Sequence, residues 1–191
     1  MNLTRYNGPM EKTPALREKR RLDNLEQMIP YLFALGCART WMTLTFAAPG
    51  AGLAVPFDPH VLFDYLYAGF GIAATLLARS LAPLHRHPWA KPGAAGAMLA
   101  ASLCIIAVPA APEAAGALAV GAAVFGSFGF CTVLLMYNEA MVPLSLIRIA
   151  LYSATSRFIA VPLAYLCQGL SGDRFAVVLV LLPLVAVGSL A

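Results

Sequence analysis

The chain has 191 residues, of which 60% are hydrophobic and 12% are charged, and its formal net charge is +4. Charged residues make up roughly 25% of an ordinary soluble domain, so this composition excludes a typical soluble protein and requires lipid to cover apolar surface. Ten of the charged residues lie within the first 27 positions. The charge therefore belongs to a leader and to loops, which excludes an extended nucleic-acid-binding surface, and we expect no direct nucleic-acid contact.

Residues 1–27 form a polar, basic leader. Its lysines and arginines lie beside Leu16, Leu22 and Leu25, a pattern that fits a short helix on anionic lipid headgroups. A solvated tail that only fixes the orientation of the first span explains the same residues, and both interpretations stay open. Because the first apolar stretch carries Arg39 at its centre, we predict that it is retained as a span and not cleaved as a signal peptide.

Six apolar stretches follow the leader and fill the domain 28–191. Each is close to the ~20 residues that an α-helix needs to cross ~30 Å of hydrocarbon. The sequence therefore predicts an all-α membrane protein with six transmembrane helices, at residues 29–48, 60–81, 93–110, 114–137, 146–169 and 175–191.

Lysine and arginine are distributed unequally between the two sides of this predicted bundle. The leader, the connection between spans two and three, and the connection between spans four and five together hold ten. The three other connections hold one, Arg174. Because loops rich in lysine and arginine stay in the cytoplasm, we predict a multi-pass protein of the inner (plasma) membrane with both ends cytoplasmic.

Polar residues divide the six spans into two consecutive triplets. Spans three and six are almost entirely apolar, whereas spans one, two, four and five carry charged or hydrogen-bonding side chains. Two polar helices followed by an apolar one, repeated once, is the organisation of transporter halves built on 3+3 repeats. We therefore expect spans one, two, four and five to line a central cavity and spans three and six to face lipid.

Two spans also carry packing signals. Small residues recur at helical spacing along span four, which favours close approach of a second backbone, although general alanine richness is the alternative explanation. Span five has polar residues on two faces, which predicts that protein surrounds it. The small residues are Ala115, Ala119, Ala122, Gly126 and Gly129, and the two polar faces contain Ser145, Arg148, Tyr152 and Ser156 on one side and Ser153, Arg157 and Gln168 on the other.

Arg39 and Arg157 fall near the middle of spans one and five. A charged side chain at the bilayer centre costs from about 3 to ~10 kcal/mol or more, depending on the reference state. One interpretation is a cationic pocket for a small anionic ligand, with Asp64 within reach of Arg39 and with the binding residues Arg39, Asp64, Tyr152 and Arg157. The other is structural, with the arginines bonded to helix carbonyls, to tyrosine hydroxyls or to acids of a partner.

Glu139 and Arg148 flank the cytoplasmic connection between spans four and five. We predict a structural or gating role for them, as a salt bridge or as anchors of the helix ends. The sequence contains no metalloprotease, hydrolase or nucleotide-binding motif. We therefore expect no enzyme activity, no catalytic residues, and no bound cofactor or metal.

The layout of six spans with cytoplasmic ends and polar spans one, two, four and five resembles the amino-terminal half of the major facilitator superfamily. That resemblance implies a six-helix half-bundle built as a 3+3 repeat. The chain departs from the family in the connection between spans two and three, GIAATLLARSLAPLHRHPWAK (71–91). Arg79 and Arg86 are present there, but the aspartate and the glycine of the family's loop motif are missing.

A second resemblance lies in YNEAMVPLSLIRIALYSATS (137–156), which is similar to the junction of helices four and five in membrane-bound LuxR-type regulators. It rests on an aromatic residue two positions before Glu139, and then on Pro143, Arg148, Tyr152 and Ser153. In those regulators a facilitator-like membrane domain precedes a cytoplasmic helix-turn-helix. The resemblance implies a ligand-sensing input domain, with the carboxyl-terminal helices and the DNA-binding output outside this chain.

Three functions remain open from the sequence. The favoured one is the membrane-embedded input domain of a LuxR-type transcriptional regulator, in which a small anionic ligand shifts the bundle between two packings. The alternative is half of a solute transporter that needs a second six-helix unit, either a carboxyl-terminal half or a second copy. The third is a stand-alone membrane protein of structural or assembly function. In all three the lipid bilayer is a partner.

Overall fold

The computed structural model describes residues 29–47, 57–142 and 144–190, and every regular element in these ranges is a helix. This confirms the predicted all-α class, while the predicted leader lies outside the described residues. Short 3₁₀ turns lie at Leu84–Arg86, Val108–Ala110 and Pro112–Ala114. In chain order the helices are α1 (29–42, continued by a π-helical turn at Thr43–Ala47), α2 (Pro59–Leu76), α3 (Ala78–Leu81), α4 (Ala90–Ala107), α5 (Ala115–Met141), α6 (Leu146–Gln168) and α7 (Gly172–Gly188).

Local sequence signals account for several of these boundaries. α2 starts where the Asp58 carboxylate accepts a hydrogen bond from the His60 amide at 2.9 Å, with Pro59 in its first turn. In α1, the hydroxyls of Thr43 and Thr45 bond to carbonyls four residues earlier, at 3.0 and 2.7 Å. Such hydroxyls compete with the backbone ladder and bend helices, and here they coincide with the π-helical turn.

Among the described residues, three helical segments are long and apolar enough to cross a membrane: Ala90–Ala110, Pro112–Met141 and Leu146–Gln168. They correspond to the predicted spans three, four and five. The helices at the other three predicted spans are α1, α2 and α7. Of these, α7 has 17 residues, the short end of the range of about 17–25 for a spanning helix.

α5 lies at the centre of the packing. Its most extensive contact is with α4, followed by α2, and α4 in turn packs on α7. In the apolar stretch of α5 that could cross the membrane, 56% is buried inside the protein. The corresponding stretches of α4 and α6 are 28% and 22% buried. The predicted small-residue face of α5 is confirmed as a packing face, since all five of its residues are buried while Val120 and Phe125 on the other side are exposed.

Two glycines allow α5 to approach its neighbours closely. A Cβ atom on Gly129 would lie 2.6 Å from Met98 Cγ and 2.9 Å from the Ala94 carbonyl oxygen of α4. A Cβ atom on Gly126 would lie 2.9 Å from the ring of Phe46. The first contact includes backbone, which cannot move aside by a side-chain rotation. The seam between α4 and α5 therefore requires glycine at position 129.

Aromatic rings join α1, α2 and α5. Phe46, in the π-helical turn, stacks on Phe63 with 4.6 Å between ring centroids. Phe63 and Tyr67 of α2 both contact Phe130 of α5, at 6.0 and 5.6 Å. Such pairs contribute about 0.5–1.5 kcal/mol each beyond their buried area. They fix the rotation of α2, so that Phe63 and Tyr67 lie on its inner side.

The burial of α6 differs from what the sequence predicts. Because span five has two polar faces, we expect protein to surround it, yet only the face with Tyr152, Ser156 and Ala160 is buried. The face with Arg157 and Gln168 is exposed, together with neighbouring apolar side chains. The prediction is wrong for this chain taken alone, because α1 covers one side of α6 and α7 contacts it only slightly.

Replacing Gly129 with alanine tests the seam between α4 and α5. The added methyl group must push the two helices apart, so we expect the free energy of unfolding to fall by about 1–3 kcal/mol. The matched control is Gly116→Ala in the same helix, where a Cβ atom meets nothing within 4 Å. That change should be neutral, or stabilising by up to ~1 kcal/mol through helix propensity. Denaturant unfolding in detergent measures both, and equal effects would contradict the seam.

Candidate functional site

Arg39 lies in α1 and holds α6. Its Nη1 donates hydrogen bonds to the Ser153 carbonyl oxygen at 3.1 Å and to Ser156 Oγ at 2.9 Å. Ser156 in turn donates to the Ser153 carbonyl oxygen at 2.7 Å. The Arg39 side chain is half-buried, while Ser156 is fully buried. These bonds join α1 to α6 through polar groups that hydrocarbon alone would leave unpaired.

The approach of α1 to α6 depends on residues within one turn of Arg39. A Cβ atom on Gly36 would lie 2.7 Å from Ile159 Cγ2, so a larger residue does not fit there. Thr40 Oγ1 lies 3.2 Å from the Ala160 carbonyl oxygen and 3.0 Å from the Gly36 carbonyl oxygen, which share its single proton. Gly36, Arg39 and Thr40 recur at helical spacing and form the stripe of α1 that faces α6.

Two tyrosines belong to the surroundings of the guanidinium group. The charge of Arg39 interacts with Tyr137 and Tyr67. Tyr137 is 2% exposed, and its hydroxyl has no hydrogen-bond partner among the described residues. A buried hydroxyl without a partner costs about 1–3 kcal/mol. Arg39 uses only Nη1 in its bonds to described residues, so Nε and Nη2 remain as donors.

Two other predicted binding residues lie near this group. Tyr152 is buried and packs with Tyr137 in a small core cluster. Arg157 is exposed on α6, although its charge still acts on Arg39. The structure therefore places Tyr152 in a buried cluster with Tyr137 and leaves Arg157 at the surface.

Asp64 is not paired with Arg39. It is exposed on α2, and its carboxylate lies 3.7 Å from Nδ1 of His60, one turn earlier in the same helix. The expectation that Asp64 neutralises part of the Arg39 charge fails because Phe63 and Tyr67 occupy the side of α2 that packs inward.

Glu139 ties the carboxyl-terminal end of α5 to the loop between α3 and α4. Its carboxylate accepts a hydrogen bond from the Leu84 amide, and the Leu84 side chain is buried. Arg148 is half-buried in the first turn of α6, and its side chain forms no hydrogen bond or ion pair with any described residue. Glu139 thus has an anchoring contact with the loop.

A second polar connection, which sequence reasoning missed, lies beside Arg39. Trp41 Nε1 donates a hydrogen bond to Ser102 Oγ of α4 at 2.8 Å. Ser102 Oγ lies 2.8 Å from the Leu179 carbonyl oxygen of α7 and 3.1 Å from that of Met98. One buried serine hydroxyl therefore joins α1, α4 and α7. The signal available in the sequence was a single serine within the otherwise apolar span three.

An open cleft of about 440 Å³ lies between α2 and α5. It extends from Tyr67 to Leu76 and Asn138, near the carboxyl-terminal ends of the two helices, and Thr75 also lines it. Small-molecule sites span roughly 300–1,000 Å³, so a small solute fits. Tyr67 belongs both to this cleft and to the surroundings of Arg39.

This region combines a half-buried guanidinium group with a buried tyrosine hydroxyl. Donors of these two kinds can bind a carboxylate or phosphate oxygen. None of the protein-family models, curated proteins and solved structures compared with this chain matches it. The functional interpretation therefore rests on the residues of the site.

A double-mutant cycle on Arg39→Met and Ser156→Ala measures the bond between α1 and α6. We expect a coupling free energy of about 0.5–2 kcal/mol, the range found for hydrogen bonds between membrane helices. The control is Thr155→Ala, because the Thr155 hydroxyl bonds to the Leu151 carbonyl of its own helix and should not couple to Arg39. Reversible unfolding in detergent gives each value, and a coupling near zero for Ser156 would disprove the connection.

Proposed function

We propose that this chain is a membrane-embedded ligand-sensing domain, of the kind found in LuxR-type regulators, and that its ligand is a small anion bound at Arg39. The observation that carries the proposal is a half-buried guanidinium group with two nitrogens free of described partners, together with the buried Tyr137 hydroxyl, which has no partner among the described residues.

The structural alternative explains only part of this arrangement. An arginine that serves only to hold α6 needs acceptors, and Ser153 and Ser156 supply them to Nη1. It does not need a buried hydroxyl without a partner nearby, because phenylalanine would fill the place of Tyr137 without the cost of an unpaired group. A bound carboxylate accepts from both Arg39 and Tyr137 and removes that cost.

The six-helix arrangement is part of the proposal. In it, α1, α2 and α7 cross the membrane together with the three helices whose length and composition already qualify. The contacts support two related triplets, because α2 packs on α5 as α6 packs on α1, and the third helices of the triplets, α4 and α7, pack on each other. This is the pairing that a 3+3 repeat of facilitator type produces.

A second helical unit completes the site in this proposal. Arg157 is exposed near the middle of α6, and a guanidinium group facing acyl chains is costly. A carboxyl-terminal half or a second copy that covers α6 removes this cost by supplying acceptors.

Signalling then follows as a shift between two packings of the bundle. The anion binds better to the packing in which Arg39 and Tyr137 converge, and its differential affinity sets how far the equilibrium moves. Movement of α6 relative to α1 is transmitted to the cytoplasmic ends of α5 and α6, where Glu139 holds the loop at Leu84. An output domain on that side senses the change.

A solute transporter half is the second candidate, and the cleft between α2 and α5 favours it. The cleft leads from Tyr67 toward the cytoplasmic ends of both helices, as a solute pathway would. Proteoliposomes separate the two candidates. A transporter accumulates or exchanges the anion that stabilises the protein, whereas a sensor binds it without moving it.

Tyr137→Phe distinguishes a binding role from a structural one. Without ligand, removal of the unpartnered hydroxyl should leave the protein equally stable or stabilise it by about 1 kcal/mol. With ligand, affinity should fall about 2- to 10-fold, because one hydrogen bond to the anion is lost. Thermal-shift titrations with small carboxylates and inorganic phosphate measure both, and Tyr165→Phe, at an exposed position, is the control.

Arg39→Gln should weaken binding of the same anion by at least about tenfold, as expected for a lost charge-assisted hydrogen bond. If no anion of the series raises the melting temperature of the unmodified protein, the binding proposal fails. It also fails if Tyr137→Phe destabilises the protein without ligand, because the hydroxyl then has a structural role.

Reporter fusions test the proposed topology. A fluorescent reporter inserted after His87 or Leu144 should be active in the cytoplasm, and an enzyme active only outside should work after Ala111 or Ser171. The reason is that the leader and the connections at His87 and Leu144 together hold ten lysines and arginines, whereas the other three connections hold one. Activity on the same side at His87 and Ala111 would show that α4 does not cross.

A further inference from the structure

A second cavity, of about 410 Å³, lies between α2, α4 and α5. Its lining residues are apolar throughout, so it suits an apolar occupant. A Cβ atom on Gly96 would meet nothing within 4 Å, so this glycine leaves room instead of making a helix contact. The groove is formed by small residues of α4 and by aromatic rings, including Gly93, Gly96 and Ala100 and Phe70, Phe125 and Phe128.

The groove is long enough along α4 to hold most of the part of an acyl chain that lies within one leaflet. Gly93 to Ala100 covers seven residues of α4, about 10 Å at 1.5 Å per residue. One leaflet contains ~15 Å of hydrocarbon, half of the ~30 Å core. Because α4 begins at Ala90, on the cytoplasmic side in the proposed topology, the groove extends from near the membrane surface toward the midplane.

Three cations lie on the segment that connects the two helices flanking the groove. Arg79 and Arg86 are exposed in the segment between α2 and α4, and Lys91 is in the first turn of α4. None of the three side chains forms a hydrogen bond or ion pair with a described residue. Trp89 is 44% exposed, and its ring lies 3.6 Å from a Cβ built on Gly93. Tryptophan at this level is typical of the membrane interface.

We propose that this groove binds an anionic phospholipid of the cytoplasmic leaflet, with one acyl chain between α2, α4 and α5 and the headgroup phosphate at the three cations. Charge complementarity selects this occupant, because residues 77–91 contain no acidic side chain and the cytoplasmic leaflet is the anionic one. Glu139 of α5 contacts this segment, where its carboxylate accepts a hydrogen bond from the Leu84 amide. The proposal uses the topology above but not the anion site at Arg39.

Quenching of tryptophan fluorescence tests the site directly. The chain has two tryptophans. Trp41 is fully buried, and the ring of Trp89 lies against Gly93, one of the residues that line the groove. The full chain is reconstituted into phosphatidylcholine nanodiscs that contain increasing fractions of phosphatidylglycerol brominated on its acyl chains. We expect half-maximal quenching at a mole fraction at least tenfold lower than with brominated phosphatidylcholine, and loss of this difference in Trp89→Phe.

Two sets of variants test the acyl-chain groove and the headgroup site separately. Gly96→Leu fills the groove and should raise the half-maximal mole fraction at least tenfold, whereas Gly69→Leu, at another open glycine, should not. The half-maximal mole fraction should rise about fivefold in each of Arg79→Gln, Arg86→Gln and Lys91→Gln. Arg174→Gln, on the opposite side, should have no effect. Ala100→Leu repeats the groove test if Gly96→Leu does not fold, as judged by circular dichroism.

Equal quenching by the two brominated lipids would overturn the proposal, because it would show ordinary lipid contact. Loss of binding in the charge variants with no effect of Gly96→Leu or Ala100→Leu would overturn the acyl-chain groove. Inorganic phosphate at millimolar concentration should leave quenching unchanged, and displacement by it would identify a phosphate site without a lipid chain.

Discussion

The Arg39 guanidinium group, in the interior of a predicted membrane helix, is the constraint on which the arrangement of α1 and α6 depends. Inside hydrocarbon it needs acceptors that lipid does not offer. The Ser153 carbonyl oxygen and Ser156 Oγ supply two of them. Gly36 lets the backbones come close enough for these bonds to form. Helix α1 is therefore held against α6 by the hydrogen bonds of Arg39. The close approach of the two backbones is possible because Gly36 has no side chain.

The seam between α4 and α5 depends on close packing instead of polar bonds. Among the described residues no side-chain hydrogen bond joins the two helices, and Gly129 lets α5 lie directly on the backbone of α4 at Ala94 and Met98. Between membrane helices the hydrophobic effect gives little driving force, so van der Waals packing and interhelical hydrogen bonds take its place. Trp41 and Ser102 connect the two kinds of seam, because their bond ties α1 to α4. The bundle thus combines one glycine seam, one arginine seam and a serine that joins three helices.

Much of the fold was predictable, because span length and small-residue spacing depend on local sequence. The helices at the predicted spans three, four and five follow from length and hydropathy, and the buried face of α5 follows from alanines and glycines at helical spacing. The rotation of each helix about its axis was not predictable in the same way. Asp64 lies with His60 because aromatic packing turns α2, and Arg157 is exposed because α1 covers only one side of α6. Neither cause is visible in local sequence.

The same rotations relate the proposed anion site to the exposed face of α6. Arg39 is half-buried in α1, Tyr137 is buried in α5, and Arg157 is exposed on α6. In the proposed assembly, a second unit that covers Arg157 removes water and lipid from the same region. Opposite charges attract more strongly at low dielectric, so covering this face strengthens binding of an anion at Arg39. By linkage, the anion then strengthens association of the second unit by the same factor. In this proposal, a ligand signal and a packing change are two consequences of one interaction, the attraction between Arg39 and the anion.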